Sequence, residues 1–466
     1  SPNPASAPTA AKDTGKASLN IGRRLDDITR ILFKNTLFDF DRLSIQFTQS
    51  NTIQNNGILG SHGFANIFAR VPFLQSSVTQ NGPSFLYQLG LASNPSGSVF
   101  IGGKGSFPFF TGHTNPGLRA PNGNLSDVFA QSNTLTANTS RPLWEGATLS
   151  LNWKVSWSFN SNSSLETDGR GVPTLNSQTV SGDVDRSFLS FPPILFFKFF
   201  NTGVGAMSDL YARYKADPLD TRANSEKIAQ AFEDGFEAIP LAKKILSSVV
   251  PRMNWSFHWD GLEKFSLFKS FAQRVSLDHA YQSDYRRRWM ITPDGNQVTE
   301  SQEVSTGFSP LLGVNVTFKN FMKGNFGGTF RYNVTNTYDV TPSSQNLTET
   351  AVSNYNITLN FSRQGFEIPF FGLSLSNDID MSFTYGLTAN SSRIYDFSQP
   401  VFNPGGNPLQ GLDNTTMEPR IRYTLSARVT ASLYYRYTKV TPGEGGSRIP
   451  GSTVNEGGLE VHVSIQ

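Results

Sequence analysis

The clearest pattern in the chain lies between Ala147 and Asn160, ATLSLNWKVSWSFN. Its odd positions (Ala147, Leu149, Leu151, Trp153, Val155, Trp157, Phe159) are all apolar, and its even positions from Thr148 to Asn160 are all polar. Successive strand side chains point to opposite faces, so this spacing predicts a strand with one dry and one wet face. A half-buried strand of a soluble sandwich alternates in the same way. Repetition separates the two readings. Met253, Trp255, Phe257 and Trp259 alternate with polar residues; so do Leu312 to Phe318, Phe326 to Val334, Tyr355 to Phe361, Ile379 to Leu387, Leu43 to Phe47 and Leu459 to Ile465. Opposite these apolar positions stand Asn, Ser and Thr with an occasional Arg or Lys, which suits a hydrated lumen better than the Lys/Glu surface of a soluble sheet.

From Ile421 to Tyr437 every odd position is apolar. That is longer than the roughly 9–11 residues of a spanning strand, so a hairpin with Ser426-Ala427-Arg428 as its loop is expected. Counting with turn signals gives about 12 to 14 strands. Pro293-Asp294-Gly295-Asn296, Asn403 to Pro408 and Gly443 to Gly446 read as turns, and the Gly/Pro/Asn-rich stretch from Ser93 to Asn138 as a loop system. The interval 191–250 departs from the pattern. Met207, Leu210, Tyr211 and Tyr214, then Ile228, Ala231, Phe232 and Phe236 within 224–239, fall at helical spacing between the breakers Pro218 and Pro240. A helical insertion at the barrel rim or in the lumen is expected there. The expected organisation is a linker with a possible short helix over 1–36, strands with long loops over 37–190, the helical insertion over 191–250, and strands over 251–466.

Composition supports the membrane reading. Charged residues are only 16% and apolar residues only 37% of the 466, while aromatics reach 12% with 38 Phe. Abundant rings argue against disorder, and a mean hydropathy of −0.31 without a long apolar run argues against helical spans. With no cysteine, thiolate chemistry and disulfides are excluded, and a net charge of +3 gives no footprint for nucleic acid. The fold class expected is all-β, a transmembrane antiparallel β-barrel with a short helical insertion.

No catalytic motif is present: there is no nucleophile elbow, Walker A or H-E-x-x-H, and the five histidines have no metal-ligand spacing. No enzyme activity and no cofactor are expected. Asp378 and Asp380 share the wet parity and read as hydrated lining. His279 shares the apolar parity of Leu277 and Tyr281, which a bulge or an interface position would reconcile. Lys154, Arg331, Arg422 and Arg436 are the candidate lumen lining. The run Arg286-Arg287-Arg288-Trp289 follows a strand and is the candidate contact with anionic head groups at an aromatic girdle, against a plain solvated loop base. Ser1 to Lys16 reads as a Pro/Ala/Ser linker with no secretory signal.

Three blocks carry a family resemblance. Phe40 to Gly60 (FDRLSIQFTQSNTIQNNGILG), Met253 to Tyr285 with Trp255, Gly261, Leu262, Lys264, Ser276, Leu277, His279 and Tyr281, and Phe371 to Tyr395 resemble, in order, the C-terminal part of the SprA/Sov translocon family of type IX secretion. The resemblance implies a very large outer-membrane barrel that passes secreted or cell-surface proteins, linked to gliding motility, with outer-membrane lipid, a PorV-like barrel, a periplasmic plug and cargo protein as partners. Members of that family are several times longer, so this chain is expected to be part of a larger barrel. Two other readings stay open: a self-contained barrel for small solutes or lipid, with the strands near Leu43 and Val461 paired, and a soluble β-sandwich adhesin.

Overall fold

The structure, a computed structural model, describes residues 43–57, 99–100, 106–107, 119–193, 202–238, 251–319, 321–370, 373–443, 445 and 450–464. The 1–36 linker and parts of the 58–118, 194–201 and 239–250 stretches lie outside the described residues.

Alternation makes strands, and the strands are long. In chain order they are β1 (Leu43–Asn55), the short ribbon β2 (Val99–Phe100) and β3 (Ser106–Phe107), β4 (Asn124–Trp144), β5 (Ala147–Thr167) and β6 (Pro173–Ser187). After the helices α1 (Val204–Ala216) and α2 (Asn224–Phe236) come β7 (Asn254–Asp260), a 3-10 turn (Leu262–Lys264), the one-turn α3 (Ser266–Lys269), β8 (Ala272–Ile291) and β9 (Gln297–Phe318). The remainder is β10 (Asn325–Thr341), β11 (Asn346–Phe370), β12 (Leu373–Asp396), β13 (Asn407–Ser426), β14 (Val429–Pro442) and β15 (Ser452–Val463). All but β2 and β3 join one 13-stranded sheet in the order β1-β4-β5-β6-β8-β9-β10-β11-β12-β13-β14-β15, with β7 between β5 and β8. The fold is all-β and antiparallel with a short helical insertion, and its strand number falls in the range expected. Among the described residues β1 and β15 stand at opposite ends of the order without pairing to each other.

The hairpin expected within 421–437 is present. Tyr423 pairs Ala431 and Ser426 pairs Val429, leaving Ala427-Arg428 as a two-residue loop. A two-residue loop alone would flip the faces; a register shift between Thr424 and Ser426 restores them, so the odd positions of both strands stay together. The stretch read as a loop system is corrected: its final part is β4. Gln131, Asn133 and Thr139 share a face with Phe129 and Leu135, so neither face of β4 is uniformly apolar and alternation is silent there. Pairing along β5 makes the strand.

β6 and β7 occupy one lane. β6 pairs β5 and β8 along one half of the sheet, and β7 pairs the same two strands along the other. The chain leaves the lane at Phe188 and re-enters at Asn254, and between them it builds α1 and α2. Phe232, Phe236, Met207 and Ile228 are fully buried, each contributing about 1.5–3 kcal/mol relative to exposure. Gly235 permits the helices to approach: a Cβ there would stand 2.6 Å from the Met207 backbone. Of the two placements expected, the insertion takes the one near the strand ends and not the one on the polar face. Its apolar stripe packs on Tyr285, Val304, Tyr338, Val340, Leu347 and Tyr395, which lie on the apolar face of the sheet, opposite the candidate lining residues. An apolar stripe finds no partner on the Asn/Ser/Thr face.

Candidate functional site: a polar face backed by an apolar belt

Register carries one wet face across the sheet. Lys154 on β5 shares a face with Ser156, which pairs Asp185 on β6; Asp185 pairs Arg286 on β8, and Arg286 pairs Glu303 on β9. Glu303 pairs Asp339 on β10, the strand whose Arg331 pairs Asn356 on β11. Asn356 pairs Gly386 on β12; farther along the same two strands Ser362 pairs Asp380, and Asp380 pairs Arg422 on β13. Arg422 pairs Ser432 on β14, and Arg436 farther along that strand pairs Glu456 on β15. All four lining candidates, Lys154, Arg331, Arg422 and Arg436, therefore stand on the same face.

That face is a charge mosaic on a carpet of Asn, Ser and Thr. Asp185 lies 3.5 Å from both Lys154 and Arg286. Arg436 spans Glu418 at 2.8 Å and Glu456 at 3.4 Å, while Arg420 reaches Glu418 at 3.3 Å and Glu460 at 3.5 Å. Such exposed pairs are each worth about 0–1 kcal/mol, so they set the field of the face more than they hold the fold. The acids of these pairs were missed in the sequence because strand parity says which face a residue is on, and only register says what stands beside it. The same holds for His258, whose Nδ1 lies 2.6 Å from Asp278 and whose Nε2 lies 3.1 Å from Asp260. An imidazolium satisfies both carboxylates at once.

The opposite face changes character along the strands. Toward the end where β4 meets β5, here the proximal end, it carries Trp153, Trp255, Leu312, Val314, Phe330, Ile357, Leu359, Phe383, Ile421, Leu433 and Val461. Toward the distal end it carries Gln302, Thr306, Asn336, Glu349, Arg393, Asp413 and Lys439. Tyrosines mark the change: Tyr332 stacks on Tyr355 at 4.2 Å, and Tyr281 on Trp255 at 4.0 Å. Phenylalanines mark the proximal edge, where Phe318 stacks on Phe326 at 4.8 Å. From Phe308 to Phe318, Phe326 to Tyr332 and Tyr355 to Phe361 the apolar belt is about 7 to 11 residues tall, close to the roughly 9–11 a spanning strand needs.

His279 stays on the apolar face: β8 pairs β7 in unbroken register from Ser276 to Tyr281, and the extra residues lie opposite it in β9. β8 shifts register against β9 between Asp278 and Tyr281, and His279 Nδ1 lies 2.8 Å from the Leu311 carbonyl. The run Arg286-Arg287-Arg288-Trp289 does not follow a strand; it lies inside β8. Period two splits it, with Arg286 and Arg288 on the wet face and Arg287 and Trp289 on the other. Trp289 is 1% exposed and packs with Phe129 and Phe159, so the four do not form a single membrane-facing patch.

The insertion is anchored by buried charge. Arg186 is wholly buried, 3.1 Å from Glu233 and 4.0 Å from Glu237, and Arg252 pairs Glu237 at 2.7 Å. The Arg186 guanidinium lies over the rings of Phe188 at 4.9 Å and Tyr285 at 5.1 Å.

No family model matches the chain, and no curated protein matches it significantly. Among solved structures the chain is similar to the trimer form of OmpT, an outer membrane protein of Vibrio cholerae, with 9% identity over 91% of this chain and 99% of that one, at a TM-score of 0.20. A loop L8 deletion mutant of OmpT gives 10% identity over 74% of this chain and 93% of that one, at a TM-score of 0.19. Superpositions this loose carry no argument about what this chain does.

Proposed function

We propose that this chain is a membrane-spanning wall of an outer-membrane β-barrel in a Gram-negative-type bacterium, and that its polar face lines a conduit for secreted or cell-surface proteins of the type IX kind. The observation that supports the reading is the back-to-back arrangement: one wet face continuous from β4 to β15, set against an apolar belt about one bilayer tall. Hydrated Asn, Ser and Thr with balanced charge pairs offer a passing polypeptide no strong holding site. The export step and its partners, a PorV-like barrel and a periplasmic plug, rest on the resemblance of three sequence blocks to the SprA/Sov family.

Alkaline carbonate extraction of membranes from cells making the chain tests the first part. Retention in the membrane pellet is expected, and release into the soluble fraction favours the sandwich adhesin. Deleting the gene tests the second. Cargo held back from the cell surface is expected; intact secretion with impaired uptake of small solutes would favour the self-contained barrel.

A further inference from the structure

The proximal end of the sheet carries a surface that neither the polar face nor the helical insertion explains. Between β7 and β8 the connection through α3 leaves Phe265, Leu267 (72% exposed) and Phe271 at the surface. Phe271 lies 5.9 Å from Phe318, and Phe321, in the connection from β9 to β10, lies 4.8 Å from Phe326 and 6.1 Å from Phe361. Phe318, Phe326 and Phe361 belong to the belt, so the apolar row runs without a break from the belt onto the two connections.

Lysines stand among these rings. Lys269 lies in α3, Lys319 follows Phe318 and donates from Nζ to the Lys269 carbonyl at 2.7 Å, and Lys323 sits in the turn. Three acids at this end are already engaged. Glu145 holds Lys264 at 2.6 Å, Glu263 accepts the Val275 N–H at 3.0 Å, and Asp260 lies between His258 and Arg274.

The turn itself is strained. Gly324 donates its N–H to the Phe321 carbonyl at 2.9 Å, and the two residues between, Met322 and Lys323, both have positive φ, 49° and 58°. Asn and Gly are the residues that take such positions without penalty. Here the fold instead holds a methionine, 68% exposed, and a lysine there. Local strain kept at an exposed site points to function.

We infer that these two connections anchor the sheet in an anionic phospholipid leaflet. Phe265, Leu267, Phe321 and Met322 enter the acyl boundary, while Lys269, Lys319 and Lys323 extend their stems along it and meet lipid phosphates. The assignment rests on the membrane-spanning reading of the belt. It places the proximal end at the phospholipid surface and the distal half of the strands, with the helical insertion, beyond the bilayer.

The chain has no cysteine, so single-cysteine variants report one position each. Met322→Cys, Leu433→Cys on the belt and Val401→Cys at the distal end (82% exposed) are labelled with an environment-sensitive dye. The full chain is reconstituted in phosphatidylcholine vesicles containing phosphatidylglycerol, with spin-labelled lipids as quenchers. Acyl-chain labels are expected to quench the dye at 433, head-group labels that at 322, and neither that at 401. At 322, spin-labelled phosphatidylglycerol is expected to quench more than spin-labelled phosphatidylcholine, by up to about fivefold per engaged lysine. Adding Lys269→Gln, Lys319→Gln and Lys323→Gln together is expected to bring that ratio to one. A quenched 433 with an unquenched 322 overturns the anchor and leaves the belt standing. An unquenched 433 overturns the membrane reading beneath it. Equal quenching by the two lipids at 322 overturns the anionic preference.

Discussion

Arg252 donates its backbone N–H to the carbonyl of Ser187 at 2.7 Å, and Ser187 Oγ donates to the carbonyl of Arg252 at 2.5 Å, across 65 residues of sequence. This seam joins β6 to β7, so that a strand interrupted by a helical domain still serves its neighbours as one lane. The ladders of β5 and β8 pass across the break, and the insertion is added to the apolar face without opening the sheet.

The ion cluster beside the seam holds the insertion down. Arg186→Ala leaves Glu233 and Glu237 facing Arg252 alone, and breaking a buried pair by removing one partner costs about 3–5 kcal/mol. The expected result is rapid protease cleavage in the 217–223 loop between α1 and α2 with the sheet still folded. Arg186→Met combined with Glu233→Leu is expected to restore most of the resistance, because matched apolar groups replace a buried pair at little cost. Unchanged resistance in Arg186→Ala would show that the apolar packing alone suffices.

Neighbouring positions on β11 separate the two faces. Leu359→Lys puts a charge in the middle of the belt and is expected to cost about 2–4 kcal/mol, while Thr358→Lys, one residue away on the wet face, should cost under about 1 kcal/mol. Urea unfolding of the chain folded into vesicles measures both. Equal costs would sink the assignment of faces.

How much of this was legible in the sequence follows from what each signal encodes. The β5 strand, the 421–437 hairpin and the helical insertion were readable because their periodicity is local: Trp153 and Trp157 declare a face, and Phe232 and Phe236 declare a stripe. β4 was hidden because its distal half places Gln131 and Asn133 on the side that faces inward under other residues. The Arg286 to Trp289 run reads as lying beyond its strand because three arginines in a row mask alternation. Their wet-face partners, Asp183 and Asp185, lie about a hundred residues earlier and become neighbours only through the β6–β8 register. The shared lane of β6 and β7 had no sequence signal at all, since it depends on both flanking strands continuing past the gap.

The helical insertion has a titration of its own. Tyr214 donates to Asp234 at 2.9 Å, and burial, with that carboxylate beside it, pushes its phenol up to about 12 from an ordinary 10.0. A phenol whose folded value is raised favours folding in its neutral form. That contribution is complete below pH 10, and it is lost as pH rises through about 12. Loss of helical ellipticity at 222 nm is therefore expected over that window in step with phenolate absorbance, and Tyr214→Phe should uncouple the two. Helix loss at the same pH in the variant would assign the transition elsewhere.

Arg436 offers the most direct test of the conduit. It stands between Glu418 and Glu456, and Tyr434 donates to Glu456 at 3.1 Å beside it. Arg436→Glu would replace the guanidinium between two carboxylates with a third carboxylate, leaving Arg420 the nearest cation to Glu418. Lys154→Glu would act in the same sense beside Asp185, near the other end of the sheet. If the wet face lines an aqueous path, both substitutions are expected to move the reversal potential of the reconstituted chain in a potassium chloride gradient toward cation selectivity. The shift should fall as salt rises and the Debye length shortens. Lys215→Glu on α1, an exposed position on the helical insertion, changes the net charge equally and should leave the potential where it was. A shift of the same size from Lys215→Glu would mean that overall charge acts, and the wet face would lose its claim to be the path.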